Sequence, residues 1–424
     1  MALDGEYTYV GFGCGPIQAG LFLYEAFRSG HFRRLVVAEI DRSTVDEVRA
    51  AGGTYAVNVA HADRVETAQI GPVEIFDPNH DADRAALTAA VAEAHEIGTA
   101  LPSVGCYASD APGSPHRVLA RGLARSERPA VVYAAENRND AAESLQALVE
   151  AEAGPLGQRV QFLDTVIGKM SGRPGGPAKH DLAPLTPATD RAFLVESFNR
   201  ILIEKIRLPG FRRGIDVFEE KDDLLPFEEA KLFGHNATHA LGGYLAGLVG
   251  LEQMAELTEV PGMMPFLRHA FLDESGAALA RKHRGADPLF TPAGYREYAD
   301  DLLRRMTNPL LLDSVERVVR DPERKLGWSD RLVGTMRLAL SQGIEPARYA
   351  AGAAAALAHL DPGFLHGRVS ADALAEALWE QDEPDRKQRA EILRLIEHAG
   401  LFLSDWQDFG FEDLKHSFEE NPAV

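Results

Sequence analysis

Cysteine is nearly absent from this chain: Cys14 and Cys106 are the only two in 424 residues. They lie far apart in loop-like contexts. That leaves no disulfide framework and no cysteine zinc site, and it points to a reduced, cytoplasmic protein. No apolar run is long enough to span a bilayer. The first residues are acidic and lead straight into a strand pattern, unlike a secretory signal. Positive charge is scarce: 44 Lys and Arg against 64 Asp and Glu give a formal net charge of −20. This balance argues against a nucleic-acid or membrane-surface partner and makes any local basic cluster noticeable. Repeats of solenoid length are missing as well, and strand patterns stop near Leu225.

What is present begins with a nucleotide-binding layout. Tyr7–Val10 is a strand candidate, and Gly11-Phe-Gly-Cys-Gly15 is a glycine-rich turn. Pro16 suits a first helical position, and Leu35–Ile40 is a second strand that ends in acid. This is the order of a Rossmann first unit, in which backbone N–H groups and a helix N-terminus hold a pyrophosphate. Gly13, Gly15, Pro16 and Ile17 would line that turn. Glu39 stands at the spacing of the acid that binds the adenosine ribose, and its charge repels a 2′-phosphate, so NAD is expected over NADP. Gln18 occupies the place of the usual third glycine, where close helix–strand packing is normally required. The small neighbours Ala19 and Gly20 would let the helix shift rather than fail.

Strands and helices then alternate: helices at 41–51 and 84–95, and strands at Tyr55–Val59, Val73–Phe76, Ala130–Ala135, Gln161–Val166 and Ala192–Glu196. The expectation is a parallel, doubly wound sheet. Ser103 and Gly105 fall in a small-residue loop suited to lie beneath a nicotinamide. A Pro/Gly-rich loop separates the last two strands. Beyond Leu225 helical patterns dominate, at 231–254, 265–279, 291–306, 328–342, 347–359, 371–380 and 387–399. The predicted fold is therefore an α/β Rossmann-type parallel-sheet domain, residues 1–220, followed by an all-α substrate-binding and catalytic domain, residues 221–424.

The first of those helices carries Lys231-Leu-Phe-Gly-His-Asn-Ala-Thr-His239. Lysine serves as a base when its pKa is lowered, and Asn and His can hydrogen-bond a carbonyl or alkoxide oxygen. On an ideal helix of about 100° per residue, Asn236 lies about 140° and His239 about 80° round from Lys231, so all three share one broad face. A charged Lys on an apolar face needs a partner or a job. The plainer alternative is a core helix with a snorkelling Lys and a satisfied His.

The Lys-Leu-Phe-x-x-Asn-x-x-His-Ala run resembles the signature of the polyol-specific long-chain dehydrogenases, the mannitol dehydrogenase family. Further matches follow in order: Ala135-Glu-Asn137, Val195-Glu-Ser-Phe198, and Asn308-Pro-Leu-Leu-Leu-Asp-Ser-Val-Glu-Arg-Val318 with Arg320-Asp-Pro-Glu-Arg-Lys-Leu326 and Asp330-Arg-Leu332. The last group is close to the phosphate-using branch. The resemblance implies that Lys231 is the general base. It also implies that Asn236 and His239 hold the reacting oxygen, with Asn137 as a possible further contact. Arg317, Arg320, Arg324 and Lys325 form a basic cluster suited to a substrate phosphate. Their alternative is a solvated helix end paired with Asp313, Glu316, Asp321 and Glu323. Two departures bear on the substrate: Gly168-Lys169 replaces the family's Asp-Arg, and the Pro/Gly loop is longer.

His235 and His239 have metal-ligand spacing, but no Glu lies between them and no third ligand is evident, so no metal is expected. The expected activity is NAD-dependent interconversion of a small polyol phosphate, similar to mannitol 1-phosphate, and a ketose phosphate. The alternatives are a dehydrogenase for a cyclitol, sugar or nucleoside-type phosphate, and a non-catalytic NAD-binding redox sensor. Oligomeric state stays open.

Overall fold

The structure is a computed structural model that describes residues 5–420 apart from 381, 383, 384 and 412. The acidic residues 1–4 and residues 421–424 of the tail lie outside the described residues. The chain divides into two compact units, Met1–Leu225 and Pro226–Val424. No helix among the described residues is long and apolar enough to cross a membrane.

Among the described residues the first unit contains twelve strands: β1 Tyr7–Phe12, β2 Phe32–Ala38, β3 Tyr55–Ala60, β4 Val65–Ile70, β5 Glu74–Phe76, β6 Glu96–Thr99, β7 Ala130–Ala134, β8 Val160–Val166, β9 Ser171–Gly172, β10 Leu194–Glu196, β11 Ile201–Glu204 and β12 Phe218–Lys221. Eight of them form one sheet in the order β12-β11-β8-β7-β6-β1-β2-β5. Its pairings are parallel except for β11 against β8. The central strands are buried throughout, as in β7 with its Ala-Val-Val-Tyr-Ala run. Such continuous β-branched and aromatic runs are what a sheet covered on both faces requires.

Two predicted strands belong elsewhere. β3 and β10 lie in a second, four-stranded sheet of order β4-β3-β10-β9. The Pro/Gly-rich loop returns β10 to the side of β3, and fully buried Asn58 fastens it there. Its amide nitrogen donates to the Ala183 carbonyl (2.8 Å), and its oxygen accepts from Ala183 N (2.9 Å). The helix expected to reach His95 covers Asp81–Glu93, because the chain is already entering β6. Two helices, Pro115–Leu123 and Ala141–Ala153, escaped the sequence reading although they make the crossovers to β7 and β8.

The missing third glycine has a local answer. Gln18 is fully buried, and its amide donates to the Tyr9 hydroxyl (2.7 Å). Its side chain lies against the bare Cα of Gly11: a Cβ there would sit 2.1 Å from Gln18 Nε2. The helix meanwhile widens into a π-turn over Gln18–Phe22, and the Ala19 carbonyl accepts from the Tyr55 hydroxyl (3.0 Å). The bulk excluded at one position is thus taken up at another.

The second unit is helical among the described residues. Leu225–Glu229, Ala230–Asn236 and Ala237–Val249 form one continuous helix whose middle segment is a π-turn. Met263–His269, Ala270–Gly276 and Ala277–Lys282 repeat the pattern. The last long helix, Arg386–Asp408, runs past the predicted end at Ala399, because Gly400 packs against Phe364 inside the helix instead of ending it.

Gly11→Ala is expected to destabilise the protein by about 1–3 kcal/mol, as overpacking does. Adding Gln18→Ala removes the clashing side chain, so the double variant should lose less than the sum of the singles. Urea unfolding of the four proteins checks this, and strictly additive losses would refute the account.

Candidate active site

In the first unit, the predicted cofactor residues collect at the carboxyl ends of neighbouring strands. β1 is flanked by β2 on one side and β6 on the other, and this is the switch point at which open α/β sheets bind ligands. Gly13 follows β1 with φ 82°, in the left-handed region that glycine accepts without strain, and a Cβ there would lie 2.9 Å from the Ala100 carbonyl oxygen. Gly15 follows it, and Pro16 and Ile17 open the helix. Glu39 directly follows β2. Its carboxylate accepts from Cys14 N (2.7 Å) and from Ile40 N and Asp41 N (both 2.8 Å). A small pocket beside it is lined by Cys14, Glu39, Asp41, Arg173, Arg191 and Phe193, among others. A glycine turn with a carboxylate fixed at the end of the next strand fits a dinucleotide whose ribose is held by acid.

Ser103 and Gly105 are exposed in the loop after β6, and Asn137 is exposed just beyond β7. The intervening Glu136 is buried and ties these ends together, accepting from Thr99 Oγ1 and Leu101 N (both 2.8 Å) and from the Tyr107 hydroxyl. Lys169, at the departure from the family's Asp-Arg, is buried with its ammonium on the Phe198 carbonyl (2.9 Å) and Asn199 Oδ1 (2.6 Å).

In the second unit, Lys231 and Asn236 sit in the π-turn Ala230–Asn236. A π-turn bonds i to i+5 and takes more residues per turn than an α-helix. The 140° offset expected from an ideal α-helix is thereby reduced, which keeps Lys231 and Asn236 on one face. Gly234 permits the wide turn: a Cβ there would lie 2.6 Å from the Tyr295 hydroxyl and 2.7 Å from Phe271 Cε2. Burial, with the Arg331 cation adding to it, pulls the Lys231 pKa down to about 8, while Glu228 opposes the shift. Burial and surrounding cations also hold buried His235 well below its usual pKa, that is, neutral.

His239 has a definite partner. Its Nε2 lies 2.9 Å from Asp313 Oδ2. The other Asp313 oxygen accepts from Arg317 Nε (3.0 Å) and Nη2 (2.6 Å). Asp313 is buried, and despite that burial the His239 and Arg317 bonds hold its carboxyl below the usual range. Its backbone is anchored by Met254 N (2.9 Å), and Leu312 before it takes a left-handed φ of 50°. The sequence reading had counted Asp313 only as a counter-ion. The signal was its place just before the short helix Val315–Val318, four residues from Arg317.

The basic cluster divides. Arg317 is committed to Asp313. Lys325 is buried, with its ammonium on the Val318 carbonyl (2.8 Å) and the Arg320 carbonyl. Arg320 is exposed, and Arg324 lies half-exposed 3.5 Å from Asp330. Among the described residues no group of three or more His, Cys, Asp or Glu side chains is arranged to hold a metal.

Comparison with known proteins places this arrangement. Residues 223–416 match the mannitol dehydrogenase C-terminal domain. A mannitol-1-phosphate 5-dehydrogenase of Halalkalibacterium halodurans is 32% identical over 269 residues, covering 62% of this chain and 67% of the relative. One of Bacillus licheniformis is 29% identical over 356 residues, covering 82% and 86%. Two crystal structures share the fold. A D-sorbitol dehydrogenase has TM-score 0.74 at 15% identity, with 96% of this chain and 95% of that one covered. Pseudomonas fluorescens mannitol 2-dehydrogenase with NAD and D-mannitol has TM-score 0.68 at 17% identity, with 99% and 96% covered. The chain belongs to the mannitol dehydrogenase family.

Asp313→Ala leaves a half-buried guanidinium and His239 without their shared acceptor. Losing one partner of a fully buried pair costs about 3–5 kcal/mol. With Arg317 partly solvated, about 1–3 kcal/mol is expected, read as a lower urea midpoint. An unchanged midpoint would show the pair to be energetically idle.

Proposed function

We propose that this protein is an NAD-dependent dehydrogenase that interconverts a polyol phosphate, similar to mannitol 1-phosphate, and the corresponding ketose phosphate. The carrying observation is Lys231: an amine whose pKa burial lowers to about 8, in the same π-turn as Asn236. The family and the relatives named mannitol-1-phosphate 5-dehydrogenase support the substrate class.

When bound, NAD supplies the acceptor for the hydride. Lys231, in its neutral form, takes the proton of the secondary hydroxyl. The Asn236 amide donates to the oxygen as negative charge develops there. His239 is fixed through Nε2 by Asp313, so Nδ1 is the ring nitrogen left for substrate. In reduction the protonated Lys231 returns its proton to the carbonyl oxygen. Asn137, just beyond β7, is a candidate further donor. Glu39 binds the ribose hydroxyls of the cofactor, and the turn at Gly13, Gly15, Pro16 and Ile17 faces its pyrophosphate. Ser103 and Gly105 border the nicotinamide. The basic segment from Arg317 to Lys325 supplies positive potential for a phosphorylated substrate.

Lys231→Ala should lower turnover by about 10³, within the 10²–10⁴ typical of a lost general base, while the fold persists. Steady-state rates with NAD and a panel of polyol, cyclitol and sugar phosphates check this. Near-normal turnover in the variant would remove Lys231 from the chemistry, and NAD binding without turnover of any panel member by the parent would favour a sensor.

Cofactor choice gives a separate test. The parent should strongly prefer NAD, and Glu39→Gln should narrow that preference, because a carboxylate repels a 2′-phosphate. Equal use of NADP by the parent would contradict the role given to Glu39.

A further inference from the structure

We propose that Arg331 is the specificity residue that anchors the substrate's phosphate monoester. This rests on the polyol-phosphate reading above and deepens it. Arg331 follows the basic cluster singled out in the sequence and was not counted in it. Two members of that cluster have their nitrogens engaged inside the second unit: Arg317 on Asp313, and Lys325 on two carbonyls. Arg331 differs. Its side chain is only 12% exposed, and its Nε donates to Asp330 Oδ1 (2.9 Å). Among the described residues, its two terminal nitrogens have no hydrogen-bond partner. A largely buried guanidinium whose fork reaches solvent without a protein partner is arranged for an oxyanion.

Its position is fixed against the Lys231 helix. The Thr335 hydroxyl, with its single proton, lies within hydrogen-bond distance of the Phe233 carbonyl (3.2 Å) and of the Arg331 carbonyl, bringing the two segments together two residues from Lys231. The approach is tight, since a Cβ on Gly334 would lie 2.8 Å from Phe233 Cε1. From there the Arg331 charge reaches Lys231, His235 and Lys325, each of which it disfavours in the protonated form. Arg305 acts on His235 in the same direction. Asp330, the carboxylate nearest Arg331, is shared with Arg324 (3.5 Å). Asp301 pairs with Arg305 (3.1 Å) and Glu228 acts on Lys231, so the group left uncompensated beside the base is the Arg331 fork, which a dianion would engage. A phosphate monoester supplies that charge, and its oxygens match the two free N–H edges of the guanidinium.

The cofactor pyrophosphate shares this chemistry, so the test separates the two sources. KM for fructose 6-phosphate and for NADH, and inhibition by inorganic phosphate, are measured in the parent, Arg331→Gln, Arg331→Lys, Arg320→Gln and Arg324→Gln. Thermal melting is followed with and without inorganic phosphate. Arg331→Gln should raise KM for fructose 6-phosphate by about ten- to a hundredfold, as expected for one lost charge-assisted pair. It should also abolish competition and thermal stabilisation by phosphate, and leave KM for NADH within about twofold. Arg331→Lys should recover part of the loss, retaining the charge without the fork. An unchanged KM in a folded Arg331→Gln protein overturns the proposal. So does an effect confined to the Arg320 or Arg324 variant, or an equal rise in KM for NADH. If the parent turns over no polyol phosphate, the function reading fails instead. Arg331-dependent stabilisation by phosphate would then still support the anion site, and its absence would reject that too.

Discussion

The proposed chemistry depends throughout on keeping a lysine amine where water solvates it poorly. An ammonium in such a place is disfavoured, and Lys231 responds with a pKa of about 8. The π-turn Ala230–Asn236 carries that amine and Asn236 on one helical segment. The turn in turn depends on Gly234, because any side chain there would meet Tyr295 and Phe271. The proposed base, the proposed hydrogen-bond donor and the packing around Gly234 thus lie in one short segment. A neighbouring cation, Arg331, strengthens the shift, and Glu228 limits it.

Much of this was legible in the sequence. The glycine turn and Glu39 were visible because they are local: a strand, a tight turn and an acid at fixed spacing. The Lys-Asn-His array was visible for the same reason. The helical second unit followed from the loss of strand patterns, and resemblance to the family drew the pieces together. The π-turn was not legible, and the aromatic side chains that pack on its Gly234, Phe271 and Tyr295, arrive much later in the chain. The second sheet was missed because β3 and β10 look like any buried strands. Only the return of the Pro/Gly loop, fastened by Asn58, decides which sheet they join.

Charge was the least readable feature. Arg317, Arg320, Arg324 and Lys325 look alike in a row of letters, yet the structure gives them different tasks. Arg317 holds the aspartate that holds His239, and Lys325 caps carbonyls inside the unit. Gln18 teaches the same lesson in reverse. It looked like damage to the dinucleotide motif, but Gly11 opposite accommodates it. In both cases the meaning of a residue came from what it faces, which spacing alone does not encode.

The central claim is that Lys231 is a base of lowered pKa, and direct titration of its amine tests it most plainly. Nitrogen NMR of the lysine side chains, assigned with Lys231→Arg, would follow its ionisation beside the pH profile of kcat/KM for alcohol oxidation. The account predicts an inflection near pH 8 in the Lys231 signal. Oxidation should rise through the same range as pH increases, because the neutral amine is the active form. A Lys231 amine that titrates above about pH 10, like an ordinary solvated lysine, while oxidation rises near pH 8 would contradict it.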